Sequence, residues 1–115
     1  MRRGEIWTVA GGAAYAGMRR PAVIIQDNRF DASDSSIVCP LTTDPTSAPI
    51  FRLPIPSNTR TGLRAPCQLM VDKLTAVPRK RVGTRVGRLS PDELKALNRS
   101  VLVFLGLAET AATRD

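Results

Sequence analysis

Histidine is absent from this 115-residue chain, and with it the side chain most often used to move protons at neutral pH. Only two cysteines occur, Cys39 and Cys67. Their spacing matches no metal-binding pattern, and no histidine is there to complete a zinc site. Both are expected to be buried free thiols. Aromatic residues are scarce (three Phe, one Trp, one Tyr), so contact with a nucleic acid cannot rest mainly on base stacking. No apolar run approaches the roughly 20 residues that span a bilayer, and Gly4, Glu5, Gly11 and Gly12 interrupt any signal-like opening. The expectation is a soluble, cytoplasmic protein with no membrane contact. Phosphate-cradling Gly-x-x-x-x-Gly-Lys, nucleophile-elbow Gly-x-Ser-x-Gly and metalloprotease His-Glu-x-x-His patterns are all missing. The acids are scattered, which gives a two-metal nuclease centre no support. No metal or cofactor is expected.

What is present is basic. Lys plus Arg number 17 against 10 acids, a net charge of +7, and arginine outnumbers lysine fourteen to three. A guanidinium matches phosphate oxygens in a two-pronged fork, so this balance points to a polyanionic partner. An arginine-rich composition without such a partner is the plainer alternative. Apolar residues make up 43% of the chain, enough for one globular domain with a core of its own. That domain is expected over residues 1–107, with a flexible tail at 108–115.

Short strand-like runs fill most of the chain. Glu5–Ala10 alternates as a first strand, and Gly11–Met18 is a small, glycine-rich loop. Pro21–Gln26 is an apolar run with a β-branched centre, as in a strand buried on both faces. Asp27–Asp31 carries turn chemistry. Ser36–Leu41 is a third strand, followed by the polar stretch Thr42–Ser47. Ile50–Ile55 is a strand that Pro54 assigns to a sheet edge. After a polar loop at Ser57–Gly62, Gln68–Val77 reads as a strand pair or one bent strand, with Asp72-Lys73 at its middle. Arg79–Arg88 is a basic, glycine-punctuated segment. Ser90-Pro91-Asp92-Glu93 then has the marks of a helix start: serine cap, proline at the first position and glutamate at the third. Leu94, Leu97, Val101, Phe104 and Leu105 give that helix an apolar face, and Gly106 ends it. Several short strands and one terminal helix make a small β-barrel with a helical lid.

Three groups within this frame carry chemistry. Arg20, beside Arg19, precedes a proline and so leaves the start of an extended strand. The pair suits a phosphate, and equally suits a solvated strand edge. Thr42 and Thr43 end the third strand, where hydroxyls either cap a turn or meet a ligand. Asp72 interrupts an apolar run, either as a catalytic carboxylate or as the partner of an arginine. RNA cleavage remains open to such a chain, because the 2′-hydroxyl of the substrate is itself a nucleophile. The protein then has to supply positive charge for the developing phosphorane and a route for protons.

Taken in order, these strings resemble one family along roughly Arg2 to Leu107. Arg3-Gly4-Glu5-Ile6-Trp7, Arg20-Pro21-Ala22-Val23-Ile24-Ile25, Val38-Cys39-Pro40-Leu41-Thr42-Thr43, Gly62-Leu63, Val71-Asp72-Lys73 and Val86-Gly87-Arg88-Leu89-Ser90 are similar to the MazF/PemK toxin endoribonucleases. The resemblance implies a mainly β fold with a terminal helix, an SH3-like small barrel of the MazF/Kid/CcdB type, forming a homodimer. It also implies the toxin of a type II toxin–antitoxin module. Such a toxin cuts single-stranded RNA without a metal, leaving a 2′,3′-cyclic phosphate and a 5′-hydroxyl, and a MazE-like antitoxin with an acidic segment restrains it. Carried onto this chain, the catalytic positions are Arg20, Thr42 and Asp72. Arg19, Thr43, Lys73 and Arg79 are the RNA-binding ones. Two positions depart from the family: Lys73 stands where glutamine is common, and Tyr15 where many members have glutamate. Both bear on RNA sequence preference. A gyrase poison of the CcdB type is the alternative on the same fold. The polar, non-aromatic ending Ala108–Asp115 argues against it. A third reading is a barrel that binds RNA or protein without turnover.

Overall fold

The structure, a computed structural model, describes residues 1–11 and 18–108. Most of the expected Gly11–Met18 loop, with Tyr15, and nearly all of the expected 108–115 tail lie outside the described residues. The described chain forms strands β1 (Glu5–Ala10), β2 (Arg19–Ile24), β3 (Ser35–Thr42), β4 (Arg52–Ile55), β5 (Cys67–Met70), β6 (Thr75–Pro78) and β7 (Val82–Arg88), then helix α1 (Pro91–Phe104). The antiparallel order is β4-β5-β3-β2-β1-β7, with β6 paired to β3. β4 is a terminal strand of this order, which explains how Pro54 is accommodated without a ladder donor.

β5 and β6 lie end to end along one edge of β3. β5 meets its C-terminal end at Leu41↔Leu69 and Thr42↔Gln68. β6 meets its N-terminal half from Ser35↔Pro78 to Val38↔Thr75. The 3-10 turn Val71–Lys73 is the length inserted between the two registers. The run Gln68–Val77 is therefore one course beside β3, broken by a single turn.

β7 is the element that local pattern obscured. Its glycines read as punctuation, yet the segment pairs with β1 from Glu5↔Arg88 to Val9↔Val82. Both interior glycines answer to neighbours. A Cβ at Gly83 would collide with the Arg19 guanidinium, and one at Gly87 with the carbonyls of Arg60 and Thr61. The turn after β4 comes close to β7 at that second place. Arg88 N–H donates to Arg60 O at 3.0 Å, so the turn after β4 bridges toward β7.

The interior holds Ile6, Val23, Cys39, Leu41, Ile55, Leu69, Val71, Leu89 and Leu97, all nearly inaccessible. A second, smaller group, Val9, Ala22, Ile24 and Val38, lies on the other side of the same strands, with Trp7, Met1 and Val77 packed on it. β2 and β3 thus bury both faces at their centres, which is why Pro21–Gln26 shows no alternation. Cys39 and Cys67 are buried and unbridged.

Helix α1 begins as its sequence specifies. Ser90 Oγ accepts from Glu93 N–H (3.1 Å) and Glu93 Oε1 accepts from Ser90 N–H (2.8 Å), a complete capping box. Arg60 grips the same carboxylate at 2.7 and 3.2 Å, tying the helix start to the turn after β4. Burial raises the Glu93 carboxyl, but Arg60 and the Ser90 amide outweigh it and hold it below its ordinary value. At the far end Leu107 N–H bonds Leu102 O and Gly106 N–H bonds Val103 O. Gly106 sits at φ +74°, completing a Schellman stop. Leu97 plugs the core and Ser100 Oγ donates to the Ile50 carbonyl. The expected apolar face is buried only in its first part. Phe104 and Leu105 remain about half exposed, with Phe104 tilted against Phe51 at 5.5 Å between ring centres. Among the described residues no helix is long and apolar enough to cross a membrane.

Candidate active site

Strand alternation decides which predicted residues meet. On β2, Val23 faces the main core, so Ala22, Ile24 and Arg20 lie on the opposite face, where the first two pack in the second apolar group. On β3, Cys39 and Leu41 face the main core, so Val38, Pro40 and Thr42 lie on the same opposite face, with Val38 buried in the second group. The β2–β3 register runs Ile24↔Val38, Val23↔Cys39, Ala22↔Pro40. The ladder ends there; counted on by two residues, the same register would bring Arg20 level with Thr42. Arg20 pairs with Val9 on β1, and Thr42 with Gln68 on β5. Val9 with Arg20 and Thr42 with Gln68 are thus two paired steps, which that count would align as one row.

Thr42 is oriented by its own turn. Its Oγ1 accepts a hydrogen bond from Asp44 N–H at 3.1 Å. A hydroxyl has one donor and two acceptor sites, so this bond leaves its O–H to donate. Turn capping and ligand contact are compatible here, because they use different parts of the hydroxyl. Thr43, the next residue, is exposed at the start of the loop.

Asp72 is half-buried on the 3-10 turn after β5, and in company. Its carboxylate takes both prongs of Arg52, Nε at 2.8 Å and Nη2 at 3.0 Å. Arg52 alternates with the core residue Leu53 and so faces outward like Pro54. It pairs with Met70, one row from the Gln68↔Pro54 step. The hydrogen bonds from Arg52 hold the Asp72 carboxyl below its ordinary value despite partial burial. The arginine partner that the sequence suggested for Asp72 is thus Arg52, a residue that the strand pattern alone did not mark. Its signal was a charged residue alternating with apolar Phe51 and Leu53. Lys73 follows Asp72 on the same turn and is exposed.

Two predicted residues are placed elsewhere. Arg19 alternates with Arg20 and turns to the opposite side, where its guanidinium lies over Gly83 beside Thr8. Arg79 sits at the other end of β3. Its Nε donates to Ser33 O at 2.7 Å and its N–H to Asp34 O at 2.9 Å, pinning the β2–β3 connection. The length of β3 separates it from Thr42, roughly 23 Å at the usual rise per residue. Among the described residues no group of three or more Cys, Asp or Glu gathers as a metal site. Cys39 is no nucleophile: burial, with the Asp72 charge nearby, pushes its thiol up to about 12.

Comparison with known proteins converges on one family. A protein of Mycolicibacterium smegmatis named a probable endoribonuclease MazF is 49% identical over 108 residues, covering 94% of this chain and 99% of its own. The Mycobacterium tuberculosis toxin MazF-mt6 superposes with a TM-score of 0.78 at 19% identity, over 91% of this chain and 99% of that one. A chain of a MazE–MazF crystal structure from Deinococcus radiodurans gives 0.76 at 18% identity, over 94% of this chain and 97% of that one. At such low identity the two structures show the fold alone. The sequence profile of the PemK-like, MazF-like toxins of type II toxin–antitoxin systems matches residues 2–105, and the chain belongs to that family.

Proposed function

We propose that this protein is an endoribonuclease toxin that cuts single-stranded RNA in the cytoplasm, with Arg20 and Thr42 at the scissile phosphate. The observation that supports the reading is the β2–β3 register, which, counted on past Ala22↔Pro40, would bring Arg20 level with the Thr42 hydroxyl on one face. In the reaction the 2′-oxygen bonds to phosphorus and the bond from phosphorus to the 5′-oxygen breaks. The products are a 2′,3′-cyclic phosphate and a 5′-hydroxyl. Arg20 supplies charge-assisted donors to the phosphorane oxygens, whose negative charge grows in the transition state. Thr42 donates its O–H to a second phosphate oxygen. A guanidinium stays protonated through the physiological range and is no resting base. Asp72 is committed to Arg52 and made less basic by it. The 2′-proton therefore passes to water, and the 5′-oxygen takes one from water or from Arg20, which is at once reprotonated.

Two partners follow from charge and family. The net charge of +7 suits RNA and equally suits the acidic segment of a MazE-like antitoxin competing for the same face. A homodimer extends that face with a second copy of these residues. The test is incubation of the purified protein with a long single-stranded RNA in EDTA. Cleavage is expected, with 5′ ends that ligate only after kinase treatment. Arg20→Ala is expected to slow cleavage by about 10²–10³. Intact RNA, or equal rates for wild type and variant, overturns the assignment.

A further inference from the structure

Gln68 is the β5 partner of Thr42, yet its side chain is turned to the loop that follows Thr42. Thr46 N–H donates to Gln68 Oε1 at 3.0 Å, and Gln68 Nε2 donates to Thr46 O at 3.1 Å. A side-chain amide here pairs with a main-chain amide in both directions, as a neighbouring strand would. The loop runs Thr43-Asp44-Pro45-Thr46, and Pro45 has no N–H to help hold it. Within it lies Asp44, whose N–H fixes the Thr42 hydroxyl. Thr46 O also accepts from Ala48 N–H at 3.1 Å, so its carbonyl has both lone pairs in use. The loop is anchored at two points, by Thr42 at its start and by Gln68 at its end.

We infer that Gln68 is a positioning residue for Thr42. It touches no reacting atom. It clamps Thr46, which holds the Asp44 amide where it engages one side of the Thr42 oxygen and directs the O–H toward the phosphate. Without the clamp the loop swings, the Asp44 bond weakens and the hydroxyl rotates among orientations. Displacement of a catalytic contact by about an ångström is enough to slow a reaction many-fold. The inference rests on the cleavage reading above, and its test is built to fail separately.

The test is a cycle of wild type, Thr42→Val, Gln68→Ala and the double variant. A short RNA bearing a mapped cut site is cleaved under single turnover with the enzyme in saturating excess, and melting temperature is recorded for each protein. Gln68→Ala is expected to lower the maximal rate about tenfold, with half-saturation and melting temperature little changed. In the Thr42→Val background the same substitution is expected to cost less than about twofold. Gln68→Glu keeps the acceptor for Thr46 N–H but sets a carboxylate against Thr46 O, and should fall between wild type and Gln68→Ala. A tenfold loss that recurs in the Thr42→Val background overturns the inference while leaving the nuclease reading intact. So does a Gln68→Ala rate equal to wild type. A wild type that cuts no RNA, or a Thr42→Val as fast as wild type, removes the role being positioned and overturns it as well.

Discussion

Replacing Asp72 by asparagine separates a structural carboxylate from a catalytic one. The two side chains of the Arg52–Asp72 pair are 11% and 24% exposed, between the surface and the interior. Exposed pairs contribute about 0–1 kcal/mol, and breaking a buried one costs about 3–5 kcal/mol. Asparagine keeps an acceptor for one guanidinium N–H but loses the charge and the second charged bond. A loss of about 1–3 kcal/mol follows, discounted for the water that reaches Asp72. For a domain of this size that lowers the melting temperature by about 4–12 °C. Arg52→Met, alone and combined with Asp72→Asn, should be strongly non-additive, because either change already breaks the pair. The pH dependence has a defined sign. Asp72 is held below its ordinary carboxyl value, chiefly by the hydrogen bond from Arg52. Its contribution is complete above the ordinary carboxylate range and is lost as pH falls through the lowered folded value. The gap in stability between wild type and Asp72→Asn should therefore close in acid. RNA cleavage, measured well below the melting temperature, should persist in the variant. A general base would instead account for about 10²–10⁴ in rate. Cleavage that collapses by that factor while the melting temperature stays put refutes the structural reading and returns Asp72 to catalysis.

Other outcomes follow from the same geometry. Gly87→Ala drives a Cβ into the carbonyls of Arg60 and Thr61 and should destabilise by about 3 kcal/mol or more. Gly106→Ala has a positive φ but open space around it, and should cost only about 1 kcal/mol. Urea denaturation compares the two, and equal losses would contradict the close approach of the Arg60–Thr61 turn to Gly87. Cys39, buried with a thiol pushed up to about 12, should resist a thiol-specific reagent in the native protein and react on unfolding. Rapid native labelling at Cys39, followed by peptide mapping, would show that the barrel opens there.

The sequence carried the ends of elements and the family more fully than the way the elements meet. Ser90, Pro91, Glu93 and Gly106 wrote the limits of α1 locally, because caps act within a turn of where they stand. The edge position of β4 was legible in Pro54 for the same reason, since a missing donor is a property of one residue. β7 was not legible. Gly83 and Gly87 look like punctuation until Arg19 and the Arg60–Thr61 carbonyls are seen to occupy the space where side chains would be. Those neighbours are distant in sequence, and no local pattern reports them.

The candidate site divides along the same line. By itself the sequence determined its ingredients: no histidine, an arginine before a proline, a threonine at a strand end, a carboxylate in an apolar run. Tertiary structure alone decided their company. Alternation puts Arg20 and Thr42 on one face of neighbouring strands and sends Arg19 to the other side. A bidentate bond commits Asp72 to Arg52, and the length of β3 sets Arg79 apart. Register and facing are long-range properties of paired strands, in which a slip of one residue would exchange every inward side chain for an outward one. The chemistry is local to residues, and its assembly belongs to the sheet.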